Sequence, residues 1–127
     1  YLLQRENKKY IVLYSLDGYD EVSLTAPIKT FSPRGEDLIS PLNFGMPYNT
    51  PESLFGGNSV VEAADLFLRI LENKGSMQQN NAVLANSGLA LHCFGKYESL
   101  KDCVDAARES LESGRAFELF KKLISMQ

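Results

Sequence analysis

The chain has 127 residues, is 44% hydrophobic and 23% charged, and carries a formal net charge of −3. That length and composition fit one soluble globular domain with a real core. The acidic balance argues against a nucleic-acid partner or an anionic membrane surface, and no apolar run approaches the ~20 residues of a membrane span.

The chain starts Tyr1-Leu2-Leu3-Gln4-Arg5, without Met and without a signal-peptide pattern. Residues 1–5 read as the last turn of an amphipathic helix, with Leu2 and Leu3 as core contacts. A helix end followed at once by strand residues is expected of a piece of a longer protein. Cys93 and Cys103 form no Cys-x-x-Cys motif and no disulfide framework. They read as reduced, buried helix residues of a cytoplasmic protein.

Residues 10–14, Tyr-Ile-Val-Leu-Tyr, are a near-continuous apolar run. Such a run predicts a strand buried on both faces, as in a parallel sheet. Asp17-Gly18 then marks a turn. Asp20 and Glu21 follow directly. In regular strand they would point to opposite faces, but in an irregular turn they can converge. Magnesium is usually held by one or two carboxylates plus substrate phosphates, so an Asp-Glu pair beside a glycine turn suits it. A solvated acidic turn between two strands is the other reading of the same residues.

Residues 22–31 alternate loosely, with Val22, Leu24, Ala26 and Ile28 on one side, and Pro27 makes this an edge or interrupted strand. A turn over residues 32–36 and a returning strand over residues 37–42 complete a hairpin. Residues 43–51 form a loop.

The rest is helical. Ser59 and Glu62 form a capping-box pattern. Val60, Ala63, Ala64, Phe67, Leu68 and Leu71 make the apolar stripe that follows. Gly56-Gly57 before it serves either a tight helix entry or an anion cradle. Residues 77–95 read as a second helix, in which Ser87 and Gly88 imply close packing. Asn86 there needs hydrogen-bond partners and can fix a loop in place, with a direct substrate contact as the other use. His92, the only histidine, has no partner acid nearby and reads as a packed or surface residue. Ser99 and Asp102 resemble another cap, opening a helix with the stripe Leu100, Cys103, Val104, Ala107 and Leu111. Gly114 separates it from a last amphipathic helix carrying Phe117, Phe120 and Leu123.

Several segments together resemble a known family. Leu16-Asp17-Gly18-Tyr19-Asp20-Glu21-Val22-Ser23 is similar to the Asp-Gly-x-Asp-Glu-hydrophobic-Ser segment of the anthranilate phosphoribosyltransferases, which share a fold with the pyrimidine nucleoside phosphorylases. Phe55-Gly56-Gly57, Val83-Leu84-Ala85-Asn86-Ser87 and Ser113-Gly114-Arg115-Ala116 resemble later segments of that family, in the same order. Two departures stand out: Tyr14-Ser15 where the family usually has His-Gly, and Glu62-Ala63 where it often has Asn-Ala.

The resemblance covers the whole chain but only the last third or so of the family's length. It implies an α/β fold: the C-terminal portion of a mixed, mostly parallel sheet flanked by helices, with a β-hairpin and a helical C-terminal half. Residues 1–127 would be the C-terminal part of the phosphoribosyltransferase α/β domain, without the N-terminal helical domain and the phosphoribosyl-binding loop. It implies a transferase that moves phosphoribosyl from phosphoribosyl pyrophosphate to anthranilate, releasing pyrophosphate, in tryptophan biosynthesis. Asp20 and Glu21 would hold Mg2+, and the complete enzyme would be a homodimer. The chain alone is expected to be inactive. Three other readings stay open: a pyrimidine nucleoside phosphorylase relative, a non-catalytic interaction domain derived from the enzyme, and a plain magnesium- or phosphate-binding module.

Overall fold

The computed structural model describes residues 2–126. A single helical turn, α1 (Leu2–Arg5), precedes strand β1 (Val12–Ser15). A hairpin of β2 (Ile28–Ser32) and β3 (Gly35–Ile39) follows, then two short 3-10 turns, Pro41–Phe44 and Pro51–Leu54. Four helices close the chain: α2 (Val60–Leu71), α3 (Met77–Phe94), α4 (Leu100–Glu112) and α5 (Arg115–Ile124). The α/β class, the hairpin and the helical C-terminal half stand as expected. Tyr1, the first residue of the expected helix end, lies outside the described residues.

The sheet order is β1-β2-β3, and both pairings are antiparallel. Among the described residues no parallel pair forms, and Val12 and Tyr14 are exposed on β1. Within this chain the apolar run of β1 is therefore covered on one face only. An apolar run shows that a strand needs cover, not which segment supplies it, and β1 is an edge strand here.

The second strand is shorter than the alternation suggests. Residues 22–26 lie outside it, and β2 begins only after Pro27. Leu24 sits in the left-handed region with φ of 63°, a conformation that bends the chain out of any ladder. Its side chain is nonetheless fully buried, as are those of Val22 and Ile28. Val22 and Leu24 of the predicted apolar side are thus buried without forming a strand, Ala26 is half-buried, and Ile28 is buried within β2. The returning strand ends at Ile39, earlier than expected, because Ser40 starts a 3-10 turn with Pro41 as its first residue.

The core lies between the loop residues Val22 and Leu24, the sheet residue Ile28, and the facing sides of α3 and α4. Leu84, Ala85 and Leu89 of α3 meet Val104, Ala107 and Leu111 of α4. Gly88 makes that approach possible, since a Cβ there would stand 2.7 Å from Cγ2 of Val104. The predicted stripe of α4 is buried as expected.

The stripes of α2 and α5 are not buried. Ile70 is the one buried residue of α2, and α5 has none. Val60 is 87% exposed and Leu119 is 69% exposed. Leu2 and Leu3 of α1 are exposed as well, so they are not core contacts. The two helices touch through Phe67 and Phe120, whose rings meet edge to face with centroids 5.2 Å apart. Helical period is local, whereas cover is a tertiary property.

Candidate functional site

β1 ends at Ser15, and the chain turns back on itself at once. The Ser15 N–H donates to the Tyr19 carbonyl at 2.7 Å and the Gly18 N–H donates to the Ser15 carbonyl at 3.1 Å. Gly18 has φ of 98°, a region that glycine enters without steric cost. This is the turn that Asp17-Gly18 predicts.

Asp17 is more than a turn residue. Its carboxylate accepts from Ser15 Oγ at 2.5 Å and from Thr25 Oγ1. Ser23 Oγ lies 2.7 Å from Thr25 Oγ1 and 3.4 Å from Ser15 Oγ. The hydroxyls of Ser15 and, next, Thr25 hold the Asp17 carboxyl below the ordinary aspartate range. This cluster ties the entry of the loop to its exit. Ser15, which stands where the resembled family usually has glycine, supplies one of the hydroxyls.

Between these tied ends stand Asp20 and Glu21. Both are exposed. Neither carboxylate has a hydrogen bond or ion pair to any described residue. The next residue, Val22, is buried and held from outside the loop. Its N–H donates to Asn86 Oδ1 at 3.0 Å, and Asn86 Nδ2 donates to its carbonyl at 2.8 Å. The same amide donates to the Ala82 carbonyl one turn back on α3, also at 2.8 Å. Asn86 therefore fixes a loop, as its position on the helix predicted.

A second asparagine does similar work further on. Asn49 Nδ2 donates to the Ser23 carbonyl at 3.2 Å and to the Gln78 carbonyl at 3.3 Å, and the Asn49 N–H donates to the Leu24 carbonyl at 2.8 Å. Asn49 is buried. Sequence reading placed it only in a loop, and nothing local marks it, because its partners lie 26 and 29 residues away. The hydroxyl cluster went unseen for a related reason. Ser, Thr and Asp in a turn are common, and only the fold shows that they meet.

Beside the pair opens a cavity of about 430 Å³, lined by Tyr19, Glu21, Leu54, Phe55, Ile70 and Asn86 among others. Gly57, with φ of 98°, makes the tight entry to α2. At the helix start Ser59 Oγ accepts from the Glu62 N–H and Glu62 Oε2 accepts from the Asn58 N–H. A Cβ at Gly57 would stand 2.9 Å from Glu62 Oε2, so a carboxylate already lies against this turn, which disfavours an anion there and fits the tight-entry reading. His92 lies near the end of α3 and lines a different cavity, with Lys9 and Arg34. Both cysteines are free, with Cys103 fully buried and its thiol pushed up by that burial.

The donor set decides which cation fits. No group of three or more His, Cys, Asp or Glu that could hold a metal occurs among the described residues. A closed site for zinc or calcium is therefore not formed by them. Two adjacent, exposed carboxylates with no protein partner fit magnesium, which keeps waters and takes substrate oxygens in its remaining positions.

Comparison with known proteins places the chain in a family. The profile described as "Glycosyl transferase family, a/b domain" matches residues 2–117. The chain belongs to this glycosyl transferase family. Among its relatives in the family are anthranilate phosphoribosyltransferases. That of Cytophaga hutchinsonii is 42% identical over 98% of this chain and 38% of its own length. That of Christiangramia forsetii is 43% identical over 97% of this chain and 37% of its own length. The crystal structure of the Thermus thermophilus anthranilate phosphoribosyltransferase superposes with a TM-score of 0.86 at 29% identity, covering 97% of this chain and 37% of that one. A Saccharomyces cerevisiae anthranilate phosphoribosyltransferase in complex with PRPP and Mg shares the fold, with a TM-score of 0.74 at 19% identity over 85% of this chain and 31% of that one. The chain thus spans well under half the length of the glycosyl transferase relatives it matches.

Proposed function

We propose that this chain is the part of an anthranilate phosphoribosyltransferase that holds the magnesium of its phosphoribosyl pyrophosphate substrate. The observation that carries this is the Asp20–Glu21 pair, exposed and unpartnered on a loop braced from within and from α3. The relatives support the substrate pair: the yeast enzyme has been seen with PRPP and Mg and, separately, with 4-fluoroanthranilate.

In this reading the enzyme joins the anthranilate amino group to the phosphoribosyl carbon and releases pyrophosphate, a step of tryptophan biosynthesis in the cytoplasm. Magnesium, when bound, neutralises charge developing on the departing pyrophosphate. Asp20 and Glu21 serve as its protein ligands and not as general bases. Val22, clamped by Asn86, keeps them at a set place beside the cavity. Residues 1–127 form the C-terminal part of the phosphoribosyltransferase α/β domain. The helical domain and the phosphoribosyl-binding loop belong to the rest of the enzyme, which works as a homodimer. The chain alone therefore gives no turnover.

The test is steady-state kinetics of the full-length enzyme with Asp20→Ala and Glu21→Ala, varying magnesium. We expect kcat/KM to fall by about two orders of magnitude, the size seen for loss of a group that stabilises developing charge. The magnesium needed for half-maximal rate should rise in both variants. Wild-type rates with unchanged magnesium dependence would refute the assignment. Phosphorolysis of a pyrimidine nucleoside in place of anthranilate transfer would instead select the nucleoside phosphorylase reading.

A further inference from the structure

The Asp20–Glu21 loop has no strand beside it at residues 20–25, yet the backbone of Val22 is hydrogen-bonded on both its N–H and its C=O. Asn86 presents an acceptor and a donor to the N–H and C=O of one residue, Val22, from 64 positions away. That is the pairing a neighbouring strand would supply, delivered by one side chain. Val22 is the residue next to Glu21. At the loop's neck Asp17 is bridged to Ser15 on the entry side and to Thr25 on the exit side. Leu24, buried in the left-handed region, fixes the path between the two anchors.

These anchors have a consequence for a bound cation. Asp20, Glu21 and Asp17 are three like charges within five residues, and mutual repulsion pushes such groups apart. A free loop would spread them, and a cation would have to gather them again. Ordering the loop beforehand removes that cost from binding. Freeing Val22 from Asn86, or Asp17 from Thr25, would return part of that ordering cost to binding. We propose that Asn86 and Thr25 are positioning residues that set the affinity of the Asp20–Glu21 pair for a divalent cation. The inference rests on the metal reading above and adds to it residues that touch no metal.

Mn2+ is the probe, added to the full 127-residue chain. Bound metal is counted from loss of the free-ion electron paramagnetic resonance signal and located by paramagnetic broadening of backbone amide resonances. Wild type should lose the amide signals around residues 19–22 first. Asn86→Ala and Thr25→Val should each raise the Mn2+ dissociation constant several-fold, through the lost ordering of the loop. Neither variant changes charge, so a weakened site reports position and not Coulomb attraction. Leu111→Ala, a core change on α4, serves as a stability control and should bind like wild type while melting earlier.

Unchanged affinity in folded Asn86→Ala and Thr25→Val would overturn the proposal while leaving the metal reading intact. Equal weakening in Leu111→Ala would also overturn it, because general loosening would then explain the effect. If Asn86→Ala does not fold, Thr25→Val decides alone. If Asp20→Asn and wild type bind Mn2+ alike, this inference falls, and the kinetics of Asp20→Ala and Glu21→Ala in the full-length enzyme decide the metal reading separately.

Discussion

Asp17 illustrates how a single exposed side chain couples charge to conformation. Its ionised carboxylate accepts from two hydroxyls, which is why it gives up its proton more readily than an ordinary aspartate. A carboxyl lowered in the folded state releases its proton more easily there than in the unfolded chain. Its contribution is therefore present above the unfolded aspartate value and is lost as pH falls through the lower folded value. Asp17→Asn should accordingly melt below wild type at neutral pH, and the difference should shrink as pH falls through that acidic window. Thermal melts from neutral pH downward check this, and a difference that persists at the acid end would contradict it. Gly88 makes the opposite kind of contribution, by what it lacks. A Cβ there would stand 2.7 Å from Val104 Cγ2 and 3.2 Å from Val104 Cα and N, so backbone must move. Gly88→Ala should cost about 1–3 kcal/mol, as overpacked cores do, despite alanine's better helix propensity. Chemical denaturation measures the change, and a gain in stability would show that α3 and α4 can separate freely.

At the scale of elements, local signals served best where the cause was local. Ser99 with Asp102 forms a reciprocal capping box where the sequence resembles a cap, and Ser76 with Gln79 forms another that sequence reading passed over. Ser59 with Glu62 differs slightly, because the Glu62 carboxylate reaches the N–H of Asn58, one residue before the cap. Gly95 ends α3 in the left-handed conformation that glycine favours. Ser99→Ala should cost about 1 kcal/mol, the usual penalty for a lost cap. It should also return the Asp102 carboxyl toward its ordinary range, since the Ser99 hydroxyl is the leading cause of its lowering. Urea unfolding with carboxyl-detected NMR tests both; an unmoved Asp102 would place the cause elsewhere. The turn at Asp17-Gly18 was equally legible. The strand expected to begin at Val22 was not, because the left-handed Leu24 is held by Asn49 and by burial, neither of which leaves a trace nearby in sequence.

The whole molecule has one well-covered side and one bare side. The loop, the sheet and the α3–α4 pair share a core, whereas the apolar stripes of α2 and α5 face outward. Val61 is 70% exposed and Leu123 is 58% exposed. The two helices meet where Phe67 packs on Phe120, and large exposed apolar patches are rare on soluble monomers. The isolated chain should therefore bind the hydrophobic dye ANS while still unfolding cooperatively. Absence of dye binding, or dye binding only after a loss of near-UV circular dichroism, would contradict this picture. Dye binding with that signal intact would distinguish exposed folded helices from a molten state.

What the sequence determined by itself was local or carried in motifs: the helix starts, the glycine turn, the hairpin, the buried stripe of α4 and the Asp20–Glu21 pair within a familiar order of segments. Caps, turns and helical period arise from residues within a few positions of one another, so a linear reading reaches them. Tertiary structure alone decided the direction of β1's pairing, the outward face of α2 and α5, and the bracing of the acidic loop by Asn49, Asn86 and the Asp17 hydroxyls. Those depend on partners tens of residues apart, or on cover that this chain does not supply, and no local preference encodes them.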